Sequence, residues 1–163
     1  MARVREDQPL IPSILDRLID EEPDKLQESP RSRAQVLREM KLAVQRDLEN
    51  LLNTRWRPTS PPGDLTELKT SIVNYGIPDF NAAFMGTLED RERLRSTIEQ
   101  VIRRFETRFK SVKVQVLTNA DPTDRRLRLR IDALLYAEPA PEPVVFDTQV
   151  ETLSGNISVR TES

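Results

Sequence analysis

The chain contains neither cysteine nor histidine. Disulfides, thiolate nucleophiles, imidazole general bases and zinc sites built from Cys and His are therefore excluded. Large aromatic residues are scarce, with one Trp and two Tyr, which leaves little to line a sugar cleft. No apolar run approaches the roughly 20 residues that span a bilayer. The stretch 1–9 is charged and has no apolar centre of the kind a secretory signal needs. A dominant charge sign is missing too. With 25 basic against 27 acidic residues and a net charge of −2, there is no global pull toward nucleic acid or an anionic membrane. The lack of cysteine fits a reducing compartment. The expectation is a soluble cytoplasmic protein with no cofactor and no bound metal.

What is present suits one domain. A chain of 163 residues, 37% apolar and 32% charged, can build a compact core with charged elements projecting from it. Residues 1–30 form an N-terminal segment. Within it Ile11, Ile14, Leu15, Leu18 and Ile19 have helical spacing after Pro12 and Ser13, and Glu21 to Arg33 reads as a linker. A helix this short is marginal alone and must dock, here expected on a partner. Residues 31–163 form a single α+β unit. A long helix is predicted from about Ser32 to Asn53, striped by Val36, Leu37, Met40, Val44, Leu48, Leu51 and Leu52. A second is predicted over about Leu65 to Asn74 with Asp64 as its N-cap, and a short turn over Asn81 to Met85. A third runs from about Leu88 to Arg108, with Thr87 and Asp90 placed as a capping pair.

The apolar period then changes from 3.6 to 2. Val112, Val114 and Val116 alternate with polar residues, Asn119 to Asp124 supplies a turn, and Leu127, Leu129, Ile131 and Ala133 alternate with Arg126, Arg128, Arg130 and Asp132. Val144 to Leu153 and Ile157 to Thr161 are two further strands around Ser154-Gly155-Asn156. Helices followed by strands predict helices packed on an antiparallel sheet.

The punctuation between these elements is specific. Leu51-Leu52-Asn53-Thr54-Arg55 ends a helix, since Asn and Thr continue one poorly, and Asn74-Tyr75-Gly76-Ile77-Pro78 suits a left-handed residue followed by a block to helix re-entry. With Leu10-Ile11-Pro12-Ser13-Ile14-Leu15-Asp16-Arg17-Leu18 and Arg104-Phe105-Glu106-Thr107-Arg108-Phe109, these blocks stand in an order and spacing that resembles the TssE family, the baseplate subunits of bacterial type VI secretion systems. That family is similar to the wedge protein of contractile phage tails. The family usually has Glu-Pro-Arg where this chain has Glu106-Thr107-Arg108. The resemblance implies a structural, non-enzymatic baseplate component. Its partners would be baseplate wedge proteins and contractile sheath subunits, in several copies around a ring, peripheral to a membrane complex only through other subunits. It further implies that Glu106 and Arg108 hold the subunit against the wedge core, and that the C-terminal sheet receives strands from the first sheath ring. A related contractile injection particle or phage tail is the alternative.

The candidate residues carry plainer readings as well. As helical residues two apart, Glu106 and Arg108 point in different directions and end a solvated helix. Arg126, Arg128 and Arg130 share a strand face, but no interleaved aromatic supports base stacking, so a solvated face or a blunted edge comes first, an acidic protein surface second and nucleic acid a distant third. Trp56 between Arg55 and Arg57 sits near the surface and could anchor an interface. Val144, Phe146, Val150, Ile157 and Val159 flank the edge that a terminal strand leaves unpaired, or else face the core. A pair of carboxylates could hydrolyse a glycoside without His or Cys, but these acids lie mostly on charged faces, where nothing raises a catalytic pKa.

Overall fold

The computed structural model describes residues 14–19, 24, 32–56, 64–79, 87–117, 126–137, 140–151 and 154–161. The charged 1–9 stretch, most of the Glu21 to Arg33 linker, and the turns expected over Asn81 to Met85 and Asn119 to Asp124 lie outside them. The elements are α1 (Ile14–Leu18), α2 (Arg33–Asn53), α3 (Leu88–Phe105), β1 (Phe109–Leu117), β2 (Leu127–Leu135), β3 (Glu142–Val150) and β4 (Ile157–Thr161).

The two long helices start where the side chains permit. Ser32 Oγ accepts from the Gln35 amide at 3.3 Å while Gln35 Oε1 accepts from the Ser32 amide at 2.8 Å, a reciprocal capping box. Thr87 Oγ1 accepts from the Asp90 amide at 3.1 Å and donates to its carboxylate at 2.6 Å. The predicted helix over Leu65 to Asn74 is replaced by two 3₁₀ turns, Thr66–Lys69 and Ile72–Asn74, and Asp64 does not cap them. Local side-chain bonds explain the difference. Thr70 Oγ1 donates to the Glu67 carbonyl at 3.3 Å and Ser71 Oγ to that of Leu68 at 3.0 Å, which competes with the α-helical ladder.

The strands pair antiparallel in the order β1-β2-β3-β4, a meander with α2 lying along β4 and α3 along β1 on one face. The buried positions of every strand are apolar, apart from Thr148 on β3, and meet the helical stripes in one cluster that runs from Met40 to Val159. Leu48, Leu52, Ile98, Ile102, Ile131 and Phe146 are wholly buried there, each contributing on the order of 1.5–3 kcal/mol. This is the α+β arrangement expected from the change of period.

The Asn53 to Arg55 block stitches α2 to distant chain. Thr54 accepts from the Ile77 amide at 2.9 Å, and the Ile77 carbonyl accepts from the Trp56 amide at 2.8 Å, a short parallel bridge. Arg55 donates to the Leu52 carbonyl at 2.7 Å, and to that of Gly155 in the β3–β4 connection. The bridge needs Gly76, whose φ is +103° and whose missing Cβ would stand 2.3 Å from the Thr54 carbonyl oxygen. Gly76→Ala should therefore destabilise the protein by about 2 kcal/mol or more. A lowered urea midpoint at unchanged slope checks this, and an unaltered midpoint would remove the bridge from the account.

Candidate functional site

The junction between α3 and β1 gathers a cluster of charged side chains. α3 ends at Phe105, and Glu106 takes φ −96°, ψ 86°, outside helical geometry. Glu106 and Arg108 consequently do not diverge as helical residues would, and the expectation that they would not pair is corrected. Arg108 Nε donates to Glu106 Oε1 at 2.7 Å and its NH2 to Oε2 at 2.6 Å, a two-pronged fork, while the Arg108 amide adds a bond to Oε1 at 3.1 Å. Glu106 is only 7% exposed, so its charge depends on this fork.

Two helices complete the cluster. From α2, Asp47 accepts from the same NH2 of Arg108 at 2.7 Å, and Asp47 also accepts from Arg46 Nε at 3.1 Å. From α1, Asp16 accepts from Arg46 at 3.2 Å and lies 3.8 Å from Arg108 NH1. Burial works to lower the Arg108 pKa, but hydrogen bonds and charge from Glu106, then Asp47, raise it above the ordinary guanidinium value. Beside them Tyr75 meets Phe105 edge-on, centroids 5.3 Å apart, and its phenol is pushed up by burial and by Asp47 and Glu106. Three carboxylates are thus shared by two guanidiniums, an arrangement suited to holding elements together. Among the described residues no group of His, Cys, Asp and Glu converges as metal ligands, and no helix is long and apolar enough to cross a membrane.

The turn also accounts for Thr107. The Phe109 amide donates to the Glu106 carbonyl at 3.3 Å, so Thr107 occupies the second position of a four-residue turn, one that proline favours.

The other candidates are placed as follows. Trp56 is half-buried against the core, and its indole N–H donates to the Gly76 carbonyl at 2.5 Å, so its polar handle is used inside the chain. Arg126 is exposed and precedes β2, leaving Arg128 and Arg130 on that strand's outer face. Their basic stripe is broken by acids: Arg130 Nε donates to Asp132 at 3.1 Å and stands opposite Asp147 on β3. Val144, Phe146 and Val150 belong to β3, an interior strand, and Ile157 and Val159 to the edge strand β4. All five side chains are buried at 3% exposure or less, so they face the core.

The β4 edge is not left unpaired as expected, because α2 covers it. Asn53 donates to the Ile157 carbonyl at 2.7 Å and accepts from its amide at 2.9 Å, and Gln45 donates to the Val159 carbonyl at 3.0 Å. Along β1, Arg103 donates to the Val112 carbonyl at 3.0 Å, Arg95 to that of Val114 at 3.1 Å, and Glu99 accepts from the Val114 amide at 3.0 Å. Sequence reasoning missed these residues together with Asp47 and Asp16. Only the four-residue spacing of Arg95, Glu99 and Arg103 offered a local signal.

The family model for baseplate wedge protein gp25 matches residues 38–140, more than half of the chain, and the chain belongs to that family. Among solved structures, a chain of "The baseplate complex from the type VI secretion system" is similar at 19% identity and a TM-score of 0.48, covering 73% of this chain and 97% of that one. Curated proteins give no match.

Two substitutions test the junction. Arg108→Ala strands the buried Glu106 carboxylate and should cost on the order of 3 kcal/mol, with Arg108→Lys recovering only part because an ammonium cannot make the fork. Thr107→Pro should raise stability by about 0.4–1 kcal/mol, since the turn already suits proline. Urea titrations read both, and a neutral Arg108→Ala would mean that Glu106 needs no partner.

Proposed function

We propose that this chain is a structural, non-enzymatic component of a type VI secretion baseplate that binds wedge proteins and templates the contractile sheath. The family match over residues 38–140 carries the reading, because it spans α2 to β2 and includes the whole Glu106–Arg108 turn. Of the motifs on which the type VI reading rests, Asp16 lies 3.8 Å from Arg108, and Tyr75 meets Phe105 beside the turn.

The wedge clamp would be built on this junction. Since the Arg108 fork is engaged with Glu106, the cluster acts as a rigid base that presents neighbouring surface to a partner. α1 supplies that surface. Its Asp16 is tied to Arg46, whereas Ile14, Leu15 and Leu18 are 78%, 60% and 75% exposed. A five-residue helix that keeps its apolar side chains in water fits a segment covered on assembly. The sheet would then template the sheath through main-chain pairing, since the side chains of Val144, Phe146, Val150, Ile157 and Val159 are spent on the core. Copies arranged around a ring would add avidity to a weak single contact. The protein would work in the cytoplasm and reach a membrane complex only through other subunits.

Tagged full-length protein recovered from its own cells, beside an Ile14→Asp/Leu18→Asp variant, tests this. The parent should bring down wedge and sheath proteins. The variant should lose the wedge proteins at unchanged thermal stability, because both side chains are exposed in the free chain. Tail proteins of a free contractile particle or phage in the parent sample would favour the alternative assembly. No baseplate or sheath protein in either sample would overturn the reading.

A further inference from the structure

Both sheet edges are closed by helix side chains, but the closures are built differently. On β4 the arms are short. Asn53 makes two bonds to the main chain of Ile157, at 2.7 and 2.9 Å, and Gln45 accepts from the Thr161 hydroxyl at 2.7 Å besides its bond to Val159. Arms of that length bring the α2 backbone beside β4, into the space where a fifth strand would pair. α2 is fixed there by Val44, Leu48, Leu51 and Leu52, all at 2% exposure or less. Opening this edge would mean pulling a helix from the core.

On β1 the arms are long and charged. Arg95, Glu99 and Arg103 reach across from α3 to Val112 and Val114, and they also pair with one another, Arg95 to Glu99 at 2.9 Å and Arg103 to Glu99 at 2.7 Å. The Arg103 side chain is 61% exposed, and Glu92, which holds Arg95 at 2.6 Å, is 62% exposed. The two flanking pairs thus each have one exposed partner and are screened by salt, while Arg95–Glu99 between them is half-buried, at 23% and 17%. Their stems can swing aside while Leu94, Ile98, Val101 and Ile102 stay buried.

We propose that β1, not β4, is the edge on which this chain receives a partner's extended strand, and that Arg95, Glu99 and Arg103 form a salt-sensitive gate over it. The gated groups are a carbonyl at Val112, then an amide and a carbonyl at Val114. That two-residue repeat of outward main-chain groups is what an extended chain matches. The irregular register between Phe109 and Ser111 lies in the β1–β2 pairing and bends β1 at its start. The occupant is a sheath strand, as the assembly reading above requires and on which this inference rests. Displacement leaves two guanidiniums, Arg95 and Arg103, and two carboxylates, Glu92 and Glu99, beside the strand, so its flanks carry both signs of charge.

Amide exchange at Val114 and Ile157 decides the matter, first in the free chain and then with purified sheath subunits. Raising salt from about 0.05 M to about 1 M should speed Val114 exchange several-fold and leave Ile157 unchanged. Sheath binding should slow Val114 by about tenfold or more and remove its salt dependence, again without effect at Ile157. Glu99→Ala should open Val114 in the free chain and bind sheath more tightly. If that variant fails to fold, Arg103→Ala removes one of the two guanidiniums that hold Glu99, together with the bond to Val112, and gives the same comparison in weaker form. Salt-independent exchange at Val114, or a complex that protects Ile157 in its place, would overturn the β1 assignment. A parent chain that forms no complex with sheath overturns the assembly reading instead.

Discussion

Much of this structure depends on one buried carboxylate. Glu106 stands where the chain passes from helix to strand, and at 7% exposure it would be intolerable there without a cation. Arg108 meets it with a fork made possible by the two residues being non-helical. That geometry sets the direction in which β1 leaves α3. The same guanidinium reaches Asp47 on α2 and approaches Asp16 on α1, so three helices are referred to one planar group. Lysine in its place would offer a point charge and lose the directions that matter.

A second constraint arises from the sheet being open. Four strands in a meander leave two edges, and an exposed edge invites pairing with any extended chain. Here the two long helices lie over the outer strands, and their polar side chains take the outward amides and carbonyls. The helices thus perform two tasks with different faces: apolar stripes cover the sheet, and flanking Asn, Gln, Arg and Glu side chains close its margins. The asymmetry between short neutral arms at β4 and long charged arms at β1 follows from which residue types flank each stripe.

How far the sequence disclosed this follows from the range of each interaction. The stripes of α2 and α3 and the alternation in β1 and β2 were legible because burial of one face imposes a period on neighbouring residues. The Thr87–Asp90 cap spans three residues and was legible because it is local, whereas Ser32 was read only as the start of its helix. The two 3₁₀ turns were not, because Thr70 and Ser71 win a local contest that helix spacing does not register. Nor was the Glu106–Arg108 fork, since its reading depended on a helix that stops one residue before Glu106. The bonds from Gln45 to Val159 and from Asn53 to Ile157 join residues more than one hundred positions apart. No periodicity in one chain announces such pairs. β3 was legible as a strand, but its interior place in the order was not.

The charge cluster also bears on what kind of work the protein can do. A catalytic acid or base needs its proton affinity displaced toward the working pH and a free path to a substrate. Here each carboxylate of the junction rests on a guanidinium, and each guanidinium is held by more than one carboxylate, which fixes charge and position together. Such a network resists change and gives a partner a surface of constant shape. The exposed apolar residues of α1 and the screened arms over β1 are the places left where small changes in surroundings alter what the chain can touch.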